Sequence, residues 1–283
     1  MTKEELRRLQ RKNNRYWQRR EMRQRMQLFN KSVTELDGEL ERQYRRVGKI
    51  IEREFLSTIE ELRNKEGVIL PSDMYKSKRY YQMLNEVNSE LDKLALKDMT
   101  LIEDKLLDVY EKQSRMTAKD FGLYYSIDKD AARTVIRETW CSDGRDLSQR
   151  IWRNRGLLMQ KLEDGLFEFV TRGQPTAQLV TDLITEQTGQ SAADLKNILD
   201  DDFREAYNNA KRLVRTETAR VQTRATQDRY KEAGFTKWRV IAEPDCCEVC
   251  ADLAEQVFDI DELVIPAHPN CRCAMAAITE SLE

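Results

Sequence analysis

The chain has 283 residues, 40% hydrophobic and 35% charged, with 48 Lys/Arg against 50 Asp/Glu and a net charge of -2. So much charge with only 10 Gly and 5 Pro excludes a turn-rich β protein and predicts long helices, each with a wide polar face. No run of about 18 apolar residues and no apolar leader behind the Arg-rich start is present, which excludes a spanning helix or secretory signal and predicts folding in a cytoplasm.

The small net charge hides an asymmetry. Residues 1–30 hold ten Lys/Arg against three Asp/Glu, whereas 243–262 hold eight Asp/Glu and no Lys/Arg. The front end reads as a basic helix or arm. Its Arg7, Arg8, Arg11, Lys12, Arg15, Arg19, Arg20, Arg23 and Arg25, with Tyr16 and Trp17 among them, suit an acidic partner, either nucleic acid or an acidic protein groove. A solvated basic face is the plainer alternative.

Residues 33–64 carry Leu36, Leu40, Tyr44, Val47, Ile51, Phe55, Ile59 and Leu62 at steps of three and four, one apolar stripe on a helix that needs a partner. Gly67 and Pro71 break it, and Ser72 or Asp73 can cap a second helix running to about Gln113 through Met83, Val87, Leu91, Leu94, Leu106 and Val109. The two form an antiparallel hairpin, with Thr100 marking a kink or a second start.

Residues 131–142 predict a short helix bearing Val135, Ile136 and Trp140, and Asp143-Gly144 a turn. A helical run with Ile151, Leu158, Leu162, Leu166 and Phe169 follows and stops at Arg172-Gly173, where a helix end favours a cation and then a glycine. Pro175 opens another helix that ends at Gly189, Ser191 caps a short piece with Leu195 and Ile198, and a longer helix covers about Asp201 to Lys231 before Gly234. The period then changes to two: Trp238, Val240 and Ala242 alternate as in a strand. Val257-Phe258, Leu263-Val264-Ile265 and Ala274–Ile278 are further strand candidates. The fold class is therefore mainly α. Long N-terminal helices in a hairpin (1–130) precede a helical domain (131–283) that ends in a small α+β cysteine-rich module (235–278).

Five of six cysteines and the lone histidine fall in two loops of that module, Cys246-Cys247-Glu248-Val249-Cys250 and His268-Pro269-Asn270-Cys271-Arg272-Cys273. A CxxC pair and a CxC pair about twenty residues apart are the layout of a closed tetrahedral zinc site. The candidate ligands are Cys247, Cys250, His268, Cys271 and Cys273, of which four would serve. Disulfides or free buried thiols are the alternative, and a Cys/His nucleophile would have to use His268 beside Pro269. Cys246 and Cys141 read as small buried residues. Upstream, Glu217 in Arg215-Thr216-Glu217-Thr218-Ala219-Arg220 sits beside an apolar helix face, where a carboxylate needs pairing; the expected structural ion pair joins Arg215, Glu217 and Arg220, and the rival reading is a catalytic glutamate. No nucleophile elbow, phosphate loop or dinucleotide fingerprint is present, and no enzymatic activity is expected.

Together, Arg215-Thr216-Glu217, Cys247-x-x-Cys250 and His268-Pro269-Asn270-Cys271-Arg272-Cys273 resemble the Mu F-like domain of phage minor head proteins. Trp140, Asp143-Gly144, Gln149-Arg150-Ile151-Trp152 and Arg172-Gly173 are similar to the order in the SPP1-type, Firmicute-phage branch. The resemblance covers about 140–278. One departure is that Ala254-Glu255 stand where members often carry a glycine, so the turn after Leu253 is expected to differ. The resemblance implies a minor capsid protein in the virion, made in the bacterial host cytoplasm and bound at the portal vertex inside the head. There it would act in head assembly, DNA packaging or ejection. The implied partners are the portal protein and also packaged DNA, scaffold or major capsid protein, with no membrane during assembly. Toxin domains that follow this domain in some relatives are not expected here. The alternative function is a nucleic-acid-binding protein that uses the basic N-terminal arm.

Overall fold

The computed structural model of the protein describes residues 3–63, 69–141, 143–172, 192–243, 245–254 and 256–278. The break at Gly67 and the helix expected over 175–189 lie outside the described residues, as do the side chains of Arg7, Arg8, Arg11, Lys12 and Trp17. Among the described residues the chain forms helices α1 (Lys3–Leu62), α2 (Pro71–Met74), α3 (Lys78–Asp120), α4 (Lys129–Arg137), α5 (Leu147–Arg172), α6 (Ala192–Glu232) and α7 (Glu248–Leu253) and strands β1 (Lys237–Ile241), β2 (Val257–Asp259) and β3 (Ala274–Ala277). The fold is mainly α, with a small α+β cysteine-rich end. No described helix is long and apolar enough to cross a membrane.

Two compact units are each assembled from separated stretches of chain, one from 1–37, 101–147 and 211–283 and the other from 38–100 and 148–210. In the second unit, the apolar stripe of α1 is buried at Leu40, Tyr44, Val47, Ile51, Phe55 and Ile59, facing Met83, Val87, Leu91 and Leu94 of α3. α5 and α6 complete this unit with Leu158, Leu162, Leu166, Phe169, Leu199 and Phe203. Gly165 allows α5 its close approach to α6, since a Cβ there would stand 2.6 Å from the Ile198 side chain. Asn154 on α5 donates to Tyr44 Oη at 3.3 Å and to the Ala206 carbonyl at 3.1 Å. Beside Tyr44 the buried Asp98 keeps an oxygen without a hydrogen bond, and burial pushes its carboxyl up to about 7.

Cross-helix pairs confirm the hairpin's antiparallel sense within each unit. Arg79 reaches Glu54 at 2.6 Å and Glu61 at 3.3 Å, while Lys105 pairs with Glu35 and Asp120 with Arg20. The position in α1 falls as that in α3 rises. Thr100 is not a second start. α3 runs through it, and its hydroxyl folds back on the Leu96 carbonyl at 3.0 Å, a bond open to Thr inside a helix.

Several boundaries differ from the sequence reading. Ser72 and Asp73 lie inside the short α2 rather than capping the long helix; α3 starts at Lys78 after Ser77, whose Oγ accepts the Arg79 amide at 3.1 Å, and runs on to Asp120. α4 closes at Arg137, so Trp140 lies beyond it; its start is fixed by Asp128, whose carboxylate accepts from the amides of Asp130 and Ala131, as an N-cap should. Residues 192–232 form one helix rather than a short piece and a longer one, because Leu195, Leu199, Phe203, Ala206 and Ala210 keep a continuous buried stripe. Leu263–Ile265 is not a strand: Ile265 is buried in the terminal core, but the segment joins no ladder, and Pro266 after it has no N–H to offer one.

α6 ends as its glycine requires. Gly234 takes φ +81, its amide bonds the Lys231 carbonyl at 3.0 Å, and the Phe235 amide bonds the Tyr230 carbonyl at 3.0 Å. This is a Schellman closure, and the accompanying apolar contact is Phe235 against Tyr230, ring centroids 5.6 Å apart. The chain turns directly into β1, the centre of an antiparallel sheet of order β2-β1-β3. Trp238 pairs with Phe258 on one side and Ala277 on the other. The alternation in β1 sends Trp238 and Val240 inward. The Trp238 indole N–H is satisfied by the carbonyls of Asp259 and Glu262, both at 3.0 Å.

Candidate metal centre

The two cysteine loops meet over this sheet. Cys247 is the N-cap of α7 and Cys250 lies three residues on, so both sulfurs share one face of a single helical turn. Cys271 and Cys273 lead into β3. Their sulfurs lie within 4.8 Å of each other and of Cys250 Sγ, so the CxC pair aims both at one point. Just before Cys271, Asn270 holds φ 65, a left-handed conformation that Asn tolerates, and the Cys271 amide bonds back to the His268 carbonyl at 3.1 Å.

His268 joins the halves. Its Nε2 lies 3.2 Å from Cys247 Sγ and 3.1 Å from Cys250 Sγ, and its Nδ1 is 2.8 Å from the Pro269 carbonyl. A carbonyl accepts, so Nδ1 carries the proton there and Nε2 presents its lone pair to the sulfurs. A backbone acceptor on the remote nitrogen is the usual arrangement behind a metal-binding imidazole. Cys250 Sγ and Cys271 Sγ are 3.7 Å apart. Two thiolates bound to one tetrahedral zinc at about 2.3 Å are separated by about 3.8 Å, whereas a disulfide needs about 2.05 Å.

Two overlapping ligand groups result, Cys247/Cys250/His268 and Cys250/Cys271/Cys273, with the donor atoms of each within 4.8 Å of one another. The cluster can hold a metal ion, and all six cysteines are free thiols. The sulfurs differ in environment. The hydrogen bond with Cys273 holds the Cys271 thiol down to about 5, while burial pushes Cys250 up to about 12. Cys273 is driven up by the same bond to Cys271 and by burial. Cys246 packs against the terminal core, and Cys141 is half-buried, away from the cluster in sequence.

The module is seated on α6 by the Arg-Thr-Glu stretch. Thr216 Oγ1 accepts the Asn270 amide at 3.0 Å while donating to the Arg212 carbonyl at 2.8 Å. Glu217 is fully buried. One oxygen accepts from Arg220 Nε at 2.8 Å and the other from the Trp140 indole at 3.1 Å. Arg220 also caps the Ile136 carbonyl at 2.8 Å and lies 5.5 Å from the Trp140 ring centroid. Both carboxylate oxygens are thus engaged in tying α4 and Trp140 to α6. Arg215 takes no part in the pair, because residues two apart on a helix point away from each other. Arg224 turns instead to Asp228. Arg272 of the HPNCRC run meets Glu243 at 2.5 Å and Asp245 at 3.3 Å, bracing the second loop against the first.

The basic helix divides into two sets. Arg15, Arg19 and Arg23 are exposed and form no ion pair among the described residues. Arg20 is engaged by Asp120 at 2.6 Å. Arg25 departs from its expected role as a surface contact: it is 2% exposed, and its Nη2 donates to the Ala219 carbonyl at 2.9 Å and Thr223 Oγ1 at 2.8 Å. It lies on the side of α1 covered by α6, and composition alone gave no signal for that. The turn after α7 needs no glycine, since Ala254 closes it at φ -58.

A helical body carrying a thiol and imidazole knuckle on its last long helix defines a structural class, a small sheet stapled to a helix by a site able to take metal. Residues 160–276 match the family profile described as Phage Mu protein F like protein, so this stretch of the chain is similar to that family. No curated protein and no solved structure matched the chain.

Proposed function

We propose that this is a structural minor head protein of a tailed phage, bound at the portal vertex inside the capsid and acting in head assembly, DNA packaging or ejection. The observation that carries the proposal is the family match over 160–276. The described residues support a structural role, since both oxygens of the one buried carboxylate in the Arg-Thr-Glu stretch are used in holding helices together. The division of labour we propose is docking through 1–130, with 131–283 as the Mu F-like part. The protein would be made in the bacterial host and carried into the virion, with the portal protein as its main partner and scaffold or major capsid protein as neighbours. The test is co-expression with the portal protein and recovery of the portal ring. The expected result is a stoichiometric complex that survives gel filtration; a purified ring that ignores the protein at micromolar concentration refutes it.

Zinc is the proposed ion, held by Cys247, Cys250, His268 and Cys271, with Cys273 as the thiol that supports Cys271. A soft, closed site of thiolates and one imidazole suits zinc, and it would add folding energy to a three-stranded sheet with a thin core. Metal analysis on protein purified without chelator should find one zinc per chain.

A second reading is favoured by one observation. Arg15, Arg19 and Arg23 recur every fourth residue on an exposed face and have no acidic partner among the described residues, so the stripe can meet phosphates of packaged DNA. Binding should then weaken steeply with salt, and the triple Gln variant should lose it.

A further inference from the structure

Two distant parts of the chain meet on one stretch of α6. Thr216 holds the loop between His268 and Cys271 through the Asn270 amide. Within two turns, Ala219 and Thr223 hold the Arg25 guanidinium of α1, and Gln222 donates to the Arg25 carbonyl at 3.2 Å. Phe29, Val33 and Ala219 form a small apolar cluster alongside. The first helix is therefore attached to the seat of the cysteine module at the residue where its charge is buried.

Among the described residues that charge has no ion-pair partner. Both acceptors of Arg25 are neutral, and its Nη1 is buried with no hydrogen-bond partner. Glu21, one turn earlier, makes no ion pair with it; its carboxyl accepts from Gln113 at 3.0 Å, and burial pushes it up to about 7. Of the charges that act on the guanidinium, Glu21 comes first, followed by Cys271, Cys273 and Tyr230. A buried, unpaired cation is strongly unfavourable. Zinc with three thiolates and a neutral imidazole carries a net charge of about -1, fixed in place and of the required sign.

We propose that Arg25 is the counter-charge of the metal-loaded cysteine cluster, so that metal binding at the end of the chain and docking of the first helix on α6 stabilise each other. The inference rests on the cluster taking zinc and is independent of where the protein sits in a virion. Linkage is reciprocal: whatever loading adds to helix docking, docking adds to metal affinity.

The experiment uses the full chain. Zinc affinity is measured by competition with a chromophoric chelator for wild type, Arg25→Gln, Arg25→Lys and the exposed control Arg23→Gln. Amide hydrogen exchange over 18–37 is followed with and without zinc. We expect Arg25→Gln to weaken zinc at least about fivefold, Arg25→Lys to recover part of that loss, and Arg23→Gln to match wild type. In wild type, exchange over 18–37 should quicken when zinc is removed. Equal affinity in Arg25→Gln and Arg23→Gln overturns the proposal, as does exchange over 18–37 indifferent to zinc. Should Arg25→Gln fail to fold, the wild-type exchange result decides alone. A wild type that takes no zinc overturns the reading of the cluster and this inference with it.

Discussion

Replacing Glu217 by Ala separates a structural carboxylate from a catalytic one. Its side chain is 0% exposed and that of Arg220 is 6%. The substitution leaves Arg220 with only the Ile136 carbonyl among its present hydrogen-bond acceptors and removes the Glu217 acceptor of the Trp140 indole N–H. Removing one member of a buried pair costs about 3–5 kcal/mol, because the remaining charge is uncompensated; losing the indole's bond to Glu217 adds about 1 kcal/mol. Against a typical stability of about 5–15 kcal/mol, this is a large fraction of the total. Urea unfolding followed by tryptophan emission and by circular dichroism should show the midpoint falling by more than about 1 M at ordinary slopes. Removing Arg220 as well should cost less than the two single losses added together, since the double variant buries no unpaired charge. Glu217→Gln, which keeps an acceptor for Trp140, should lie between. A loss below about 1 kcal/mol for Glu217→Ala would refute the reasoning. Unchanged or increased stability would instead mark a residue kept for activity at the expense of the fold.

The remaining tests address other parts of the chain. Glu21 is raised from 4.5 to about 7 and Asp98 from 3.8 to about 7, both chiefly by burial, so each holds its proton to higher pH when folded than when unfolded. Stability should therefore be fullest below about pH 4 as far as these groups act and decline as pH rises toward 7. Glu21 contributes roughly 3 kcal/mol of that decline, and Glu21→Gln should flatten the slope by its share in urea midpoints taken at several pH values. In zinc competition assays, Cys271→Ser should lose the ion to a chelator that wild type resists, while Cys273→Ser keeps it with about tenfold weaker affinity; the reverse order would exchange their roles. Gly234→Ala should lower stability by about 1 kcal/mol in thermal unfolding, because φ +81 is strained for any residue with a Cβ.

Much of this protein is written in local sequence. The steps of three and four from Leu36 to Ile59 determine a buried helical stripe, Gly234 a left-handed helix end, Trp238 to Val240 a strand with one face inward, and the spacing of Cys247, Cys250, His268, Cys271 and Cys273 marks the residues that meet in two overlapping ligand groups. In the helix stripe, the helix end and the strand the governing physics acts within about one helical turn or one pleat of the residue concerned, whereas the two cysteine loops are about twenty residues apart and are brought together by the sheet. Other properties depend on what packs where. Arg25 and Arg23 are indistinguishable in a run of arginines, yet one is buried against Ala219 and Thr223 and the other is exposed, because only the covering helix decides which side of a polar helix leaves water. Arg220 rather than Arg215 pairs with Glu217 since three residues, not two, return to the same helix face. Trp140 completes that pair from 77 positions away, a distance that no periodicity spans. Leu263–Ile265 is apolar enough for a strand, but a strand is made by its neighbours' hydrogen bonds, and none of them reaches it.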